Sequence, residues 1–148
     1  MKKTRLLGLI VIALAICALT YSLASRSVKR RQVELAWRMF TRELANDQMV
    51  SAYANMSNEF KLKNPLSTFI AGRWCDRAHP WFVAVDNRDI HVVFVHLNPL
   101  GTESKIISTT SIRSSLFELN PGGIRVAASL VREGDSWRVN SEPSVSAD

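Results

Sequence analysis

The chain has 148 residues, 47% hydrophobic and 22% charged, with only 6 Gly, 5 Pro and 2 Cys. This length implies one domain, and the composition excludes a disordered chain, a disulfide scaffold and a fibrous protein. The net charge of +6 sits at one end: residues 1–31 carry seven basic side chains and no acid, while residues 32–148 hold 12 basic and 13 acidic ones. A near-neutral folded part lacks the cationic face that nucleic acid requires, so no nucleic-acid partner is expected.

Residues 6–24 form a 19-residue stretch without a charge. At about 1.5 Å per residue such a helix is roughly 28 Å long, close to the ~30 Å hydrocarbon layer. Basic residues bracket it, and Tyr21 suits a membrane interface. Residues 1–26 therefore read as a transmembrane anchor, with lipid contact over residues 4–25. The alternative is an export signal cleaved near Ala24, where Ser22 and Ala24 are small. Two features favour retention: the apolar run is longer than a usual signal core, and a basic segment follows it. Lipidation at Cys17 is excluded by the β-branched Ile16 before it. A five-residue tail is easily left in the cytoplasm, which puts the domain on the extracytoplasmic side of a single-pass membrane protein. Lys29, Arg30 and Arg31 are then expected at headgroup height, contacting the membrane surface.

From Val33 the pattern turns helical. Val33, Ala36, Trp37, Phe40 and Leu44 recur at three- and four-residue steps, predicting a helix over residues 27–45 that is open to continuity with the anchor. Asn46-Asp47 stops it and caps a second helix, whose apolar stripe is Met49, Ala52, Tyr53 and Met56. Asn64 as cap and Pro65 at the first helical position open a third, ending at Gly72.

Strand patterns follow. Residues 81–86 read as a strand and 86–89 as its turn. Residues 90–97 are the strongest strand, closed by the turn Asn98-Pro99-Leu100-Gly101, where Pro presets φ and Gly supplies a positive one. Residues 102–111, 124–132 and 137–140 complete the series, with turns at 120–123 and at Gly134-Asp135. Residues 143–148 read as a flexible polar tail. Helices followed by hairpin-linked strands define an α+β fold: a transmembrane helix, then helices packed on a curved antiparallel sheet of four to six strands over residues 27–142. Trp37, Phe40, Tyr53, Phe69, Val93, Val95, Val126 and Trp137 are the expected core.

Ala36-Trp37-Arg38-Met39-Phe40, Asn46-Asp47, Ala52-Tyr53, Ser57-Asn58-Glu59-Phe60-Lys61 and Phe69 together resemble the N-terminal half of nuclear-transport-factor-2-like (cystatin-like) domains. The closing run from Leu130 through Gly134-Asp135 to Val139 is similar to the last hairpin of that superfamily. The resemblance implies a cone-like fold, with helices in the mouth of a curved sheet, over about residues 33–142. An anchor followed by such a domain is also similar to single-pass inner-membrane assembly factors of type IV secretion, whose domains are longer. Packing signatures of this kind imply a fold more than a function.

Chemistry-bearing residues are few. His91 and His96 stand five apart on one strand, so a period of two places them on opposite faces unless a bulge intervenes. His91, on the side of Val93 and Val95, reads as a core or pocket-wall residue. Cys75 and His79 supply only two ligands, too few for structural zinc, and no metal or cofactor is expected. Phosphate-binding glycine loops and a nucleophile elbow are absent. Enzymes of the resembled superfamily use a carboxylate and a Tyr inside the cone, which by position leaves Tyr53, Asp76 and Asp86; Asp86 falls in a turn. Tyr53, Asp76 and His91, with Trp81 near the cone mouth, are the ligand-pocket candidates. The expected function is a non-catalytic, membrane-anchored envelope module that binds a protein partner or oligomerises, as a subunit of a membrane assembly or secretion complex. The alternative is a small-ligand-binding protein or isomerase-like enzyme using the cone interior.

Overall fold

The computed structural model describes residues 2–72, 90–110 and 124–147. Over these residues the architecture is α+β: one long N-terminal helix, three short helices and an antiparallel sheet. Helix α1 (Lys2–Ala45) runs for 44 residues without interruption, as a stretch free of Gly and Pro after Gly8 allows. The boundary drawn from sequence at residue 26 thus falls inside one helix. From Ile10 to Ala24 every side chain is exposed, and α1 as a whole is long and apolar enough to cross a membrane. Two hydroxyls are returned to the helix itself: Thr20 donates to the Cys17 carbonyl at 2.9 Å and Ser27 to that of Ala24 at 2.8 Å. Such local bonding suits polar groups in or near an apolar layer.

In its second half α1 becomes a core element. Val33, Trp37, Phe40 and Leu44 are fully buried, the three- and four-residue recurrence read from sequence. Helix α1 ends in a Schellman arrangement: Asp47 takes a left-handed φ of 58°. The Gln48 amide donates to the Glu43 carbonyl at 2.9 Å and the Asp47 amide to that of Leu44 at 3.1 Å. Asp tolerates this backbone better than most side chains. The stop was legible, but Asp47 does not cap the next helix. In α2 (Met49–Ala54) the cap position is Gln48, whose side chain makes no capping bond.

Helix α3 (Asn58–Lys63), absent from the sequence reading, is capped by Ser57, whose hydroxyl accepts from the Phe60 amide at 3.0 Å. Helix α4 (Leu66–Ala71) starts one residue later than predicted, with Pro65 at the cap and Gly72 closing it. Phe60 and Phe69 are buried, and their rings meet edge to face at 6.5 Å.

Strands β1 (Ile90–Leu97), β2 (Glu103–Thr110), β3 (Ile124–Glu133) and β4 (Ser136–Val139) form an antiparallel meander in that order. The fifth strand, β5 (Ser144–Ala147), lies in the segment read as a loose tail and pairs with residues 124–127 of β3. Strand β3 has ten residues and β4 only four, so half of that edge remains for β5. Between β4 and β5 the register slips by two residues, and the Ser141 hydroxyl accepts from the Ser129 amide at 2.9 Å where ladder bonding breaks. Met56 forms a parallel bridge to Val139, so the α2–α3 junction lines the outer side of β4.

One face of the sheet is covered. Ile106 and Ser108 of β2, Val126, Ala128 and Leu130 of β3, and Trp137 and Val139 of β4 are buried against α1 and the short helices. Trp37 donates its indole N–H to the Ser108 hydroxyl at 3.3 Å, and that hydroxyl donates to the Val126 carbonyl at 3.3 Å. Five of the eight expected core residues are buried, whereas Tyr53 and Val95 are half-buried. Val93 is 62% exposed. Its displacement has a cause: the β1–β2 register shifts between Val92 and Phe94, so Val93 is the extra residue of a bulge.

Candidate functional site

That bulge also relocates the histidines. His91 lies opposite Thr109, Phe94 opposite Ile107 and His96 opposite Lys105, and these β2 positions alternate with the buried Ile106 and Ser108. His91, Phe94 and His96 therefore share the outer face, all exposed, and Phe94 stacks on His96 at 6.2 Å. The core or pocket-wall placement of His91 is corrected accordingly. The two imidazoles do not share a metal either, since four strand steps separate their backbones by about 13 Å. Among the described residues no three His, Cys, Asp or Glu side chains converge to hold an ion.

Tyr53 sits elsewhere. Its hydroxyl donates to the Asn64 carbonyl at 2.9 Å, its ring meets Phe69 at 5.3 Å, and Lys61 Nζ lies 5.8 Å from the ring centroid. Those contacts hold the α3–α4 link onto α2. Trp81 and Asp76 lie outside the described residues, as do Cys75, His79 and Asp86. Of the four pocket candidates, the described pair Tyr53 and His91 is thus not brought together.

What the fold does assemble is a cavity of about 260 Å³ between α1 and the β1–β2 turn. Tyr21, Ser22, Ser25, Arg26 and Lys29 line one side, and Leu97, Asn98, Pro99 and Gly101 the other. The helix contributes these residues because positions 22, 25, 26 and 29 fall on the side of α1 that continues into Val33 and Trp37. Asn98 builds the opposite wall. Its side-chain oxygen accepts from the Thr102 and Glu103 amides at 2.9 and 3.2 Å, and its carbonyl accepts from the Gly101 amide at 2.9 Å. Pro99 and Leu100 occupy the two central turn positions, and Leu100 is 79% exposed at the tip.

Gly101 adopts a φ of +66°, the positive value read from sequence, and a Cβ there would lie 2.6 Å from Lys29 Nζ. Glycine thus meets two demands, the turn and the lysine laid across it. Lys29 is half-buried in this contact, whereas Arg30 and Arg31 are exposed. The sequence reading found Lys29 as part of a flat basic patch. The wall formed by the turn was not legible, because some seventy residues separate it from α1.

Among the described residues no carboxylate lines the cavity. Neither Arg26 nor Lys29 forms an ion pair among the described residues. The site is therefore cationic and rich in hydroxyl and amide groups. Its position is also defined: half-buried Ser25 directly follows the exposed run Ile10 to Ala24. No family model, curated protein or solved structure matches the chain.

Proposed function

We propose that the chain is a single-pass membrane protein whose α+β domain is a non-catalytic module, held at the membrane surface to engage a protein partner or a second copy of itself. One observation carries this reading: the unburied apolar half of α1 and the half whose Val33, Trp37, Phe40 and Leu44 face is buried in the core belong to one helix. An anchor that is also a core element fixes the domain beside the bilayer, and confinement there raises the effective concentration for weak lateral contacts. The outward side of α1 supports the lateral partner, since Val28, Leu35 and Met39 are all more than half exposed along one stripe. The same proposal puts the residues before the span in the cytoplasm and the domain on the extracytoplasmic side.

The same proposal includes a cone-like sheet of the nuclear-transport-factor-2-like kind. Supporting it are the order of helices before a meander and two curvature devices, the Val93 bulge and the slip between β4 and β5. Trp37, Phe40, Met56 and Phe69 fill the inner side of the sheet, which favours function at surfaces over chemistry in the interior. Alkaline carbonate extraction of membranes, followed by in-membrane crosslinking and mass spectrometry, tests the reading. The chain should remain in the pellet and crosslink to a defined neighbour. Release by carbonate, or a monomer without neighbours, overturns it.

A further inference from the structure

The geometry points to the cavity between α1 and the β1–β2 turn as a phosphate site, taking the phosphodiester of an anionic phospholipid at the edge of the span. This deepens the anchored-module reading and rests on it. Height comes first. Residues 21–29 rise about 12 Å along α1, and the headgroup layer of one leaflet is roughly 5–8 Å thick. A cavity lined over those residues straddles the end of the uncharged run, and therefore opens at the level of lipid phosphates.

Chemistry comes second. Arg26 offers a planar fork of donors and Lys29 a compact ammonium, the two side chains that recognise phosphate best. Ser22, Ser25, Tyr21 and Asn98 add hydroxyl and amide groups around them, and among the described residues no acid lines the cavity beside the cations. Lys29 lies across Gly101 and is half-buried there, whereas Arg26, Arg30 and Arg31 are exposed. Leucine at the turn tip completes the arrangement: Leu100 projects from the turn that walls the cavity, where an exposed apolar side chain has acyl chains to meet. A volume of about 260 Å³ suits a headgroup and is small for a drug-sized ligand.

A charge-matched pair of variants separates a built site from a diffuse basic patch. R26Q/K29Q and R30Q/R31Q remove the same charge from the same turns of α1. Carbonate-resistant full-length chain, purified in mild detergent, is titrated with phosphatidylglycerol and with phosphatidylcholine, and retained lipid is counted by native mass spectrometry. The wild type should hold one phosphatidylglycerol per chain in preference to phosphatidylcholine. R26Q/K29Q should weaken retention by about tenfold or more, and R30Q/R31Q by less than about threefold. Unchanged near-ultraviolet circular dichroism checks that both variants are folded. Inorganic phosphate alone, in a parallel arm, should not displace the lipid. If it binds and is lost in R26Q/K29Q, the phosphate site stands but its ligand is a soluble anion. Equal loss in both variants, or none in either, overturns the cavity while leaving the anchor intact. Release of the chain by carbonate overturns the anchor reading instead.

Discussion

Replacing Ser57 by alanine tests how the α2–α3 junction is fastened to β4. The Ser57 side chain is fully buried and does two things: it accepts from the Phe60 amide at 3.0 Å and donates to Asn140 Oδ1. Its backbone amide donates to the Val139 carbonyl at 2.8 Å and survives the substitution. Loss of an N-cap hydroxyl costs about 1 kcal/mol. A second bond whose partner is left partly buried adds about 1–2 kcal/mol. Ser57→Ala should therefore destabilise the domain by roughly 2–3 kcal/mol, or about 8–12 °C in Tm for a domain of this size. Asn140→Ala removes the second bond together with the exposed one from Asn140 to the Glu59 carboxylate, and should cost about 1 kcal/mol. The double variant should then fall short of the sum by about 1 kcal/mol, because the shared bond is lost once. Thermal unfolding of the detergent-solubilised chain, followed by tryptophan fluorescence, reads this directly, since Trp37 and Trp137 are both buried. A Ser57→Ala variant within about 0.5 kcal/mol of wild type, or strictly additive losses, would refute the capping argument.

The Val93 bulge makes a sharp distinction between neighbours: Val93→Lys should change stability by less than about 0.5 kcal/mol, while Val95→Lys, two residues on and packed against the core, should cost about 2 kcal/mol or more. Asp47→Val places a β-branched side chain at a φ of 58° and should cost about 1–2 kcal/mol in the same unfolding assay. The Glu59 carboxyl is held below its ordinary value of 4.5 by a hydrogen bond from Lys63, then by that ammonium's charge and by Asn140. A depressed folded value means that its stabilising contribution is full above pH 4.5 and fades as pH falls through the folded midpoint. Carbon-detected NMR should find that midpoint below 4.5, rising toward it in Lys63→Gln.

Sequence alone disclosed what periodicity encodes. Val33, Trp37, Phe40 and Leu44 announce a buried helix face, and Gly101 and Gly134 mark turns that do take positive φ. Helix α3 had a signal that was passed over: Ser57 at the cap, Glu59 in the first turn, and Lys61 and Lys63 in the last. The bulge had none, because Val92-Val93-Phe94-Val95 is apolar throughout and only the partner strand decides which residue is extra. Strand β5 was hidden for a related reason. A polar Ser-Val-Ser-Ala segment becomes a strand because a ten-residue neighbour leaves an edge to pair with. At the candidate site, composition exposed the basic half on α1, and the chain fold alone supplied the turn that converts part of it into a cavity.

Continuity of α1 is what joins these features into one mechanism. A flexible linker of Gly and Ser would let the domain wander, with its orientation to the bilayer averaged away. Here the helix proposed to cross the membrane is the same one on which Trp37 meets Ser108, so bending it costs intrahelical hydrogen bonds with no Gly or Pro at hand to absorb the kink. Orientation is then set twice, once by the helix and once by the β1–β2 turn leaning on residues 21–29. The turn cannot leave that position without drawing Leu97 off the sheet margin, because Asn98 ties both strand ends together. A lipid phosphate bound between them would act as a third point of support, and whatever face the domain shows to a partner would be held at a constant height above the bilayer. In the proposed anchored module, recognition would be by position and not by deep chemical pockets, with the selective burden on the exposed sides of α1 and the sheet.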